Sequence, residues 1–460
     1  MRETSFGAIG DDDVPERATL GPAIAGVGAT VRSGSDEQAA VDFLQSFFGS
    51  AYREDFAIQL WTGATLAAFR SARFTLGVSA PYALRAAFTP PLDLSPGRAF
   101  VNGLLEISGD VECAVDAMEK AFERLSPWRL PFLIGRLIRM PAPPPLDDRG
   151  AAKLRGRRHS RNRDRAVINF HYDQPEGLYE RFLDRELVYS CAYFEAESST
   201  LHDAQVAKID YILRKLQVHP GDRLLDIGCG WGALVMRAAE RFGAHAVGIR
   251  LSRAQYEVAQ RRIAERGIEG RASVSLRDYR ELDAEMSFDR VVSVGMFEHV
   301  GRSKLNTYFR TAYDALRPGG LFLNHGIAEQ SAGRRTGKAT GFIDRYVFPD
   351  GELVSISDGL RFAERAGFEV RDVENLREHY TRTLRRWIAN LENNRDDIVA
   401  ATDLATYRSW RLYMAGSAQG FRSGRMGLFQ SLFAKPQADG GVELPLTRGA
   451  LYNRDAVGAT

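Results

Sequence analysis

Leu224-Leu225-Asp226-Ile227-Gly228-Cys229-Gly230-Trp231-Gly232 is an apolar run, broken by one acid, that passes into three alternating glycines. The residues behind it, ALVMRAAERFG at 233–243, carry apolar side chains at helical spacing. The order is strand, glycine-rich turn, helix. Such a turn lets a ligand approach bare backbone, and the helix N-terminus behind it favours a negative group. A tight strand-to-helix turn with no ligand would read the same way, so the surroundings decide. HAVGIRL at 245–251, ASVSLRD at 272–278, RVVSVGM at 290–296 and GLFLNHGI at 320–327 are predicted strands. RAQYEVAQRRIAERG at 253–267 is a predicted helix among them. This alternation implies a mostly parallel sheet covered on both faces. The second strand ends without the Asp or Glu that a dinucleotide-binding enzyme places on a ribose hydroxyl. Ser252 and Gln255 stand there to make that contact instead, and Asp278 and Tyr279 follow the third strand, where an adenine would lie.

Outward from this core, the α/β pattern fills 166–435. Residues 36–135 form a predicted small α+β domain. In it FLQSFFGSAY at 43–52 and DVECAVDAMEKAFERL at 110–125 have helical spacing, and AIQLWTG, RFTLGVSA and GLLEISGD look like short strands. Residues 136–165 hold a proline cluster and then eight Lys and Arg. That composition builds no core and predicts a linker. Its charge run is either a solvated tether or a patch for anionic lipid headgroups, where each cation contributes about 1 kcal/mol. Residues 1–35 are expected to be a flexible arm and 436–460 a loose tail.

Composition removes several classes. With 61 Lys and Arg against 59 Asp and Glu, the net charge of +2 gives no footprint for nucleic acid. Cys113, Cys191 and Cys229 lie far apart, without the spacing of a disulfide framework or a zinc site. The polar N-terminus is unlike a signal peptide, and no run approaches about 18 apolar residues, so a cytoplasmic location without a membrane span is expected.

Eight pieces, in order, then carry a resemblance. They are HYD at 171–173, YSCAYF at 189–194, the glycine turn, the LS..Q turn at 251–255, DYR at 278–280, SVGMFEHVG at 293–301, FIDRYVFPDGEL at 342–353 and ENLREHYTRTLRRW at 374–387. Across nearly all of 166–435 the chain resembles the cyclopropane-fatty-acyl-phospholipid synthases, which include the mycolic acid cyclopropane synthases. The resemblance implies a seven-stranded Rossmann-like class I methyltransferase core, with S-adenosylmethionine as cofactor and a bicarbonate ion beside the reacting carbons. The implied cofactor shell is Tyr189, Ser190, Asp226, Gly228, Gly230, Trp231, Gly232, Leu251, Ser252, Gln255, Asp278 and Tyr279. The implied bicarbonate shell is Cys191, Glu298, His325, Ile327 and Tyr380. Unsaturated phospholipid acyl chains as substrate, peripheral attachment to the anionic inner face of the membrane, and a homodimer are implied with them. The chain departs from the family at HYDQPEG for HYDxGN, at Arg250 for Thr, and at HGIA (325–328) for HTIG.

The implied chemistry explains the shell. A cis alkene that accepts a sulfonium methyl becomes a carbocation in a water-free site, and a base must then take a proton from the new methyl for a ring to close. The family gives that role to bicarbonate, with Glu298 accepting from its hydroxyl and Tyr380, His325 and backbone N–H groups donating to its oxygens. Loss of a proton elsewhere gives a methylene- or methyl-branched chain, the alternative that the HGIA departure supports. Each residue also has an ordinary role open to it: Cys191 as a small buried apolar group, Glu298 as a helix cap, His325 and Tyr380 as satisfied core residues. A nucleic-acid methyltransferase is disfavoured, because SVGMFEHV stands where a [DN]PP[YF] motif would and no Cys follows a Pro. A lipid-binding protein with a decayed site is disfavoured by the joint presence of the glycines, Asp226 and Glu298.

Overall fold

The computed structural model describes residues 33–452 apart from 50–54, 69, 149, 153, 176, 283–285 and 331–340. The predicted arm therefore lies outside the described residues up to 32. Four short strands, β1 (Phe56–Gln59), β2 (Thr65–Leu66), β3 (Phe74–Val78) and β4 (Leu105–Gly109), form a sheet in the order β2-β1-β3-β4. β1 and β3 alternate buried and half-buried side chains, the period expected of a sheet with one face on a core. That core is aromatic: Phe56 and Phe74 stack with centroids 4.5 Å apart, and Phe43 from the helix Ser33–Phe48 meets Phe88 at 5.0 Å.

The second sheet contains β5 (Arg223–Ile227), β6 (His245–Arg250), β7 (Ala272–Leu276), β8 (Phe288–Val294), β9 (Leu316–Glu329), β10 (Glu369–Asn375) and β11 (Met426–Ala434). Its order is β10-β11-β9-β8-β5-β6-β7. β7, β6, β5, β8 and β9 run parallel, and β11 enters antiparallel between β9 and β10. Leu224, Leu225, Val291 and Val292 are completely buried, because helices cover both faces of these strands and both side-chain rows must be apolar. The five strands predicted here are present, and the small four-stranded sheet lies N-terminal to them.

Between β10 and β11 the chain inserts the helices Arg377–Asn393, Arg395–Ala401 and Leu404–Arg422. These place Tyr380, Trp387, Trp410 and Tyr413 in one apolar cluster with Trp231 of the glycine turn, and they also bind the two sheets together. Arg411, almost buried, pairs with Glu392 at 2.6 Å and donates to the carbonyls of Ile107 and Gly109 at 2.8 and 3.1 Å. Arg385 grips Glu112 through two hydrogen bonds of 2.7 and 2.9 Å. The Pro/Arg-rich segment is flanked by regular structure, with the helix Leu130–Arg139 running into its start and Arg161–Tyr172 beginning near its end. Beyond β11, Val442 and Leu444 pack on the core, and Glu443 pairs with Arg317 at 3.2 Å.

Candidate functional site

β5 delivers Asp226 and the glycine turn to the C-terminal edge of the parallel strands, the position at which open α/β sheets bind ligands. A cavity there is lined by Tyr189, Ser190, Asp226, Gly228, Gly230, Trp231, Leu251, Gln255 and Tyr279. Nine of the twelve residues implied for the cofactor thus line one cavity. The other three support it from behind. Gly232, at φ +84°, precedes the helix Ala233–Arg241. Ser252 caps the helix Arg253–Glu265 through the Gln255 N–H at 3.3 Å and donates to Asp173 at 2.8 Å. Asp278 is held by Arg280 at 2.9 and 2.6 Å.

The lining suits a ligand of mixed charge. Gly230 sits at φ +56°, and a Cβ built there meets no protein atom within 4 Å, so the space beside it belongs to the cavity. Three buried polar atoms of lining residues, Asp226 Oδ1, Gln255 Oε1 and Arg250 Nε, have no hydrogen-bond partner among the described residues. Buried polar groups are ordinarily hydrogen-bonded, so these atoms await a ligand. S-adenosylmethionine, with an amino group, a carboxylate, a sulfonium and ribose hydroxyls, offers a complement to each. Burial raises the Asp226 carboxyl to about 7, against the opposing pull of Lys208 and Arg250.

Lys208 and Arg250 are site residues outside the cofactor and bicarbonate shells that the resemblance implies. Lys208 is wholly buried, donates to Ser190 Oγ at 2.9 Å and lines the cavity. Burial lowers its ammonium to about 8, partly offset by Cys191, Asp184 and Asp226. Its signal was present: on the helix Leu201–Lys215 it occupies the buried stripe with Leu201, Ala204, Gln205 and Ile212. Arg250, one of the family departures, donates to the Gly230 carbonyl at 2.9 Å and so ties the end of β6 to the glycine turn.

A second constellation adjoins this cavity. Glu298 stands on the short helix Phe297–Val300 after β8, whose N-cap is Met296. Burial raises its carboxyl to about 7, opposed by hydrogen bonds from its own N–H and that of Ile327. Its Oε2 is buried and has no hydrogen-bond partner among the described residues. Tyr380 lies within electrostatic reach of Glu298, Cys191, Tyr172 and Tyr413, and burial above all holds its hydroxyl well above the ordinary tyrosine range. The Cys191 thiol is also pushed up by burial and donates to the Ala192 carbonyl at 3.2 Å, the state of an inert thiol rather than a nucleophile. Glu298, Ile327, Tyr380 and Cys191 are therefore brought together. His325 is instead influenced by Lys208 and Lys215; its Nδ1 faces Gln430 at 3.2 Å, and its buried Nε2 has no partner among the described residues. Aromatic rings crowd this region, with His171 on Phe348 at 3.8 Å, Tyr380 on Phe421 at 4.5 Å and Tyr189 on Trp387 at 5.1 Å.

The seven-stranded order and the cavity at the end of β5 define a class I methyltransferase. Residues 159–431 match the family described as mycolic acid cyclopropane synthetase. The chain is 39% identical over 397 residues to a probable fatty acid methyltransferase of Pseudomonas putida, covering 86% of this chain and 95% of that one. The structure of the cyclopropane synthase MmaA2 from Mycobacterium tuberculosis, 33% identical, superposes with a TM-score of 0.56 over 59% of this chain and 98% of its own. Mycolic acid cyclopropane synthase CmaA1, solved in complex with SAH and CTAB, is 35% identical, with a TM-score of 0.55 over 58% of this chain and 97% of its own. The chain belongs to the mycolic acid cyclopropane synthetase family of S-adenosylmethionine-dependent methyltransferases.

Proposed function

We propose that the protein transfers a one-carbon unit from S-adenosylmethionine to the cis double bond of an unsaturated fatty acyl chain of a phospholipid and closes it to a cyclopropane. The observation that carries this proposal is Glu298, a half-buried residue whose Oε2 is itself buried and has no hydrogen-bond partner among the described residues. Bicarbonate fits such a place, since it has a hydroxyl to donate to Glu298 and oxygens to accept from Tyr380. The cofactor and the ion supply an electrophilic methyl and a base for the proton it must lose. Within the protein, Asp226 and the glycine turn would hold the amino-acid end of the cofactor, Gln255 a ribose hydroxyl, and Tyr279 the adenine. Glu298 would fix the orientation of the ion. The rings of Tyr172, Tyr189, Tyr413 and Trp387 exclude water and favour a cation developing on the acyl chain.

Methyl transfer to phospholipid should fall in bicarbonate-free buffer and return when bicarbonate is added. Unchanged turnover after removal of carbon dioxide would remove the ion from the mechanism. A second product, a methylene- or methyl-branched chain from the same cation, is favoured by Gly326. Phe297 fills the space of a side chain there, 2.8 Å from the position of a Cβ, and so packs differently beside Glu298 than it would against the family's Thr.

A further inference from the structure

Five of the ten exposed large apolar side chains among the described residues fall between Trp128 and Ile138. Trp128 is 90% exposed, Phe132 61% and Ile138 63%. They belong to the helix Leu130–Arg139 and the turn before it. The opposite face of that helix is firmly docked. Leu133, Leu137 and Met140 are buried in the core of the four-stranded unit, and Arg136 donates to the Asp42 carbonyl and to Ser46 Oγ. The helix thus has a fixed orientation, with one apolar face on the protein and another left bare.

Charge identifies what covers the bare face. Arg124, Arg129 and Arg139 are exposed along the same stretch, and no Asp or Glu occurs from Arg124 to Leu146. An isologous contact with a second copy would set this acid-free stretch against itself, like charge to like. An apolar face with a terminal tryptophan, flanked by arginines, has the composition of a helix lying in the plane of a lipid interface. The basic run that follows is less suited to that task, because Arg158 and Arg163 pair with Asp350 at 2.9 and 2.6 Å and Arg161 with Glu281 at 3.4 Å.

We propose that Trp128–Arg139 is the element by which the protein inserts into an anionic lipid surface, its apolar side chains entering the headgroup boundary and its arginines meeting phosphates. The proposal rests on the phospholipid substrate proposed above and assigns the bilayer contact to the four-stranded unit. Full-length protein and the variant Trp128→Ser/Phe132→Ser/Ile138→Ser, changed only at exposed positions, are floated with vesicles of phosphatidylcholine alone or mixed with phosphatidylglycerol. Wild-type protein should float with the anionic vesicles and its Trp128 fluorescence should be quenched by brominated acyl chains. The triple variant should partition at least tenfold more weakly while melting at the wild-type temperature and methylating detergent-dispersed phospholipid at the wild-type rate. Flotation of the variant equal to wild type, or failure of the wild type to float with either vesicle, overturns the proposal. So does conversion of a wild-type dimer to a monomer at unchanged flotation, which would assign the face to a second copy. Absence of methyl transfer to detergent-dispersed phospholipid by both proteins would refute the proposed substrate, while flotation would still judge the helix.

Discussion

Glu298→Gln should flatten the pH dependence of stability and depress catalysis in the same molecule. The Glu298 carboxyl is raised from 4.5 to about 7, chiefly by burial. An unfolded chain releases this proton near the ordinary value, whereas the folded protein keeps it until about 7. The folded state therefore binds more protons across that window, and its stability falls as pH rises through it. A carboxyl raised this far corresponds to at most about 3 kcal/mol lost between pH 4 and pH 8. The amide does not titrate, so this part of the slope vanishes in the variant. Both proteins should melt alike near pH 4, and the variant should gain on wild type by up to about 3 kcal/mol at pH 8. Turnover should meanwhile fall about a hundredfold, the effect of losing one orienting acceptor in a water-excluded site, with cofactor affinity near normal. Melting at pH 4 and pH 8, calorimetric titration with S-adenosylmethionine and radiolabelled methyl transfer are measured on one preparation. An unchanged pH slope together with full turnover per folded molecule would make Glu298 an ordinary structural residue.

Gly230→Val places a branched side chain at φ +56° in space that belongs to the cavity, so binding of S-adenosylmethionine should be lost in calorimetry while the fold persists; undiminished affinity would refute the loop assignment. Lys208→Met removes the donor to Ser190 Oγ and a cation near Asp226, and should raise the KM for S-adenosylmethionine about tenfold, the loss of one charge-assisted contact. Because Lys208 is lowered to about 8, wild-type stability should rise relative to this variant between pH 8 and pH 10, as the unfolded chain still binds the proton that the folded protein has released. Equal slopes in thermal melts would place that ammonium in solvent. Gly326→Ala puts a methyl 2.8 Å from the Phe297 Cβ and should cost about 1–3 kcal/mol by overpacking, with a changed ratio of ring to branched product. An unaltered melt and product ratio would show that Phe297 does not couple this site to Glu298.

What the sequence reveals follows from where each element lies. β5 and its glycine turn are legible because a strand covered on both faces must be apolar throughout and the turn requires glycine at positive φ. β10 is hidden by its edge position: Glu369, Arg371 and Val373 face solvent, and only alternate residues are half-buried. β11 is separated from β10 by three helices, and nothing local indicates that it slots antiparallel between β10 and β9. Helix Leu130–Arg139 is obscured by the prolines and arginines around it, although Leu133, Leu137 and Met140 recur on one face. Lys208 escapes notice because lysine is ordinarily a surface residue, and only its place in an apolar stripe betrays burial. Cys191, Glu298 and Tyr380 are drawn from three separate segments and are singled out in sequence only by the family resemblance; they become a unit only once the sheet and the inserted helices have packed.

The central claim, that the protein builds a ring on an unsaturated acyl chain, is tested most directly in a host that makes unsaturated phospholipids and no cyclopropane lipids. The protein is expressed in medium containing methyl-trideuterated methionine, and the extracted phospholipids are examined by mass spectrometry and NMR. The account predicts acyl chains that have gained one carbon within a three-membered ring, that carbon keeping two deuterons because the third has left with the base. A methyl branch that keeps all three deuterons, or an exocyclic methylene in place of the ring, would contradict it.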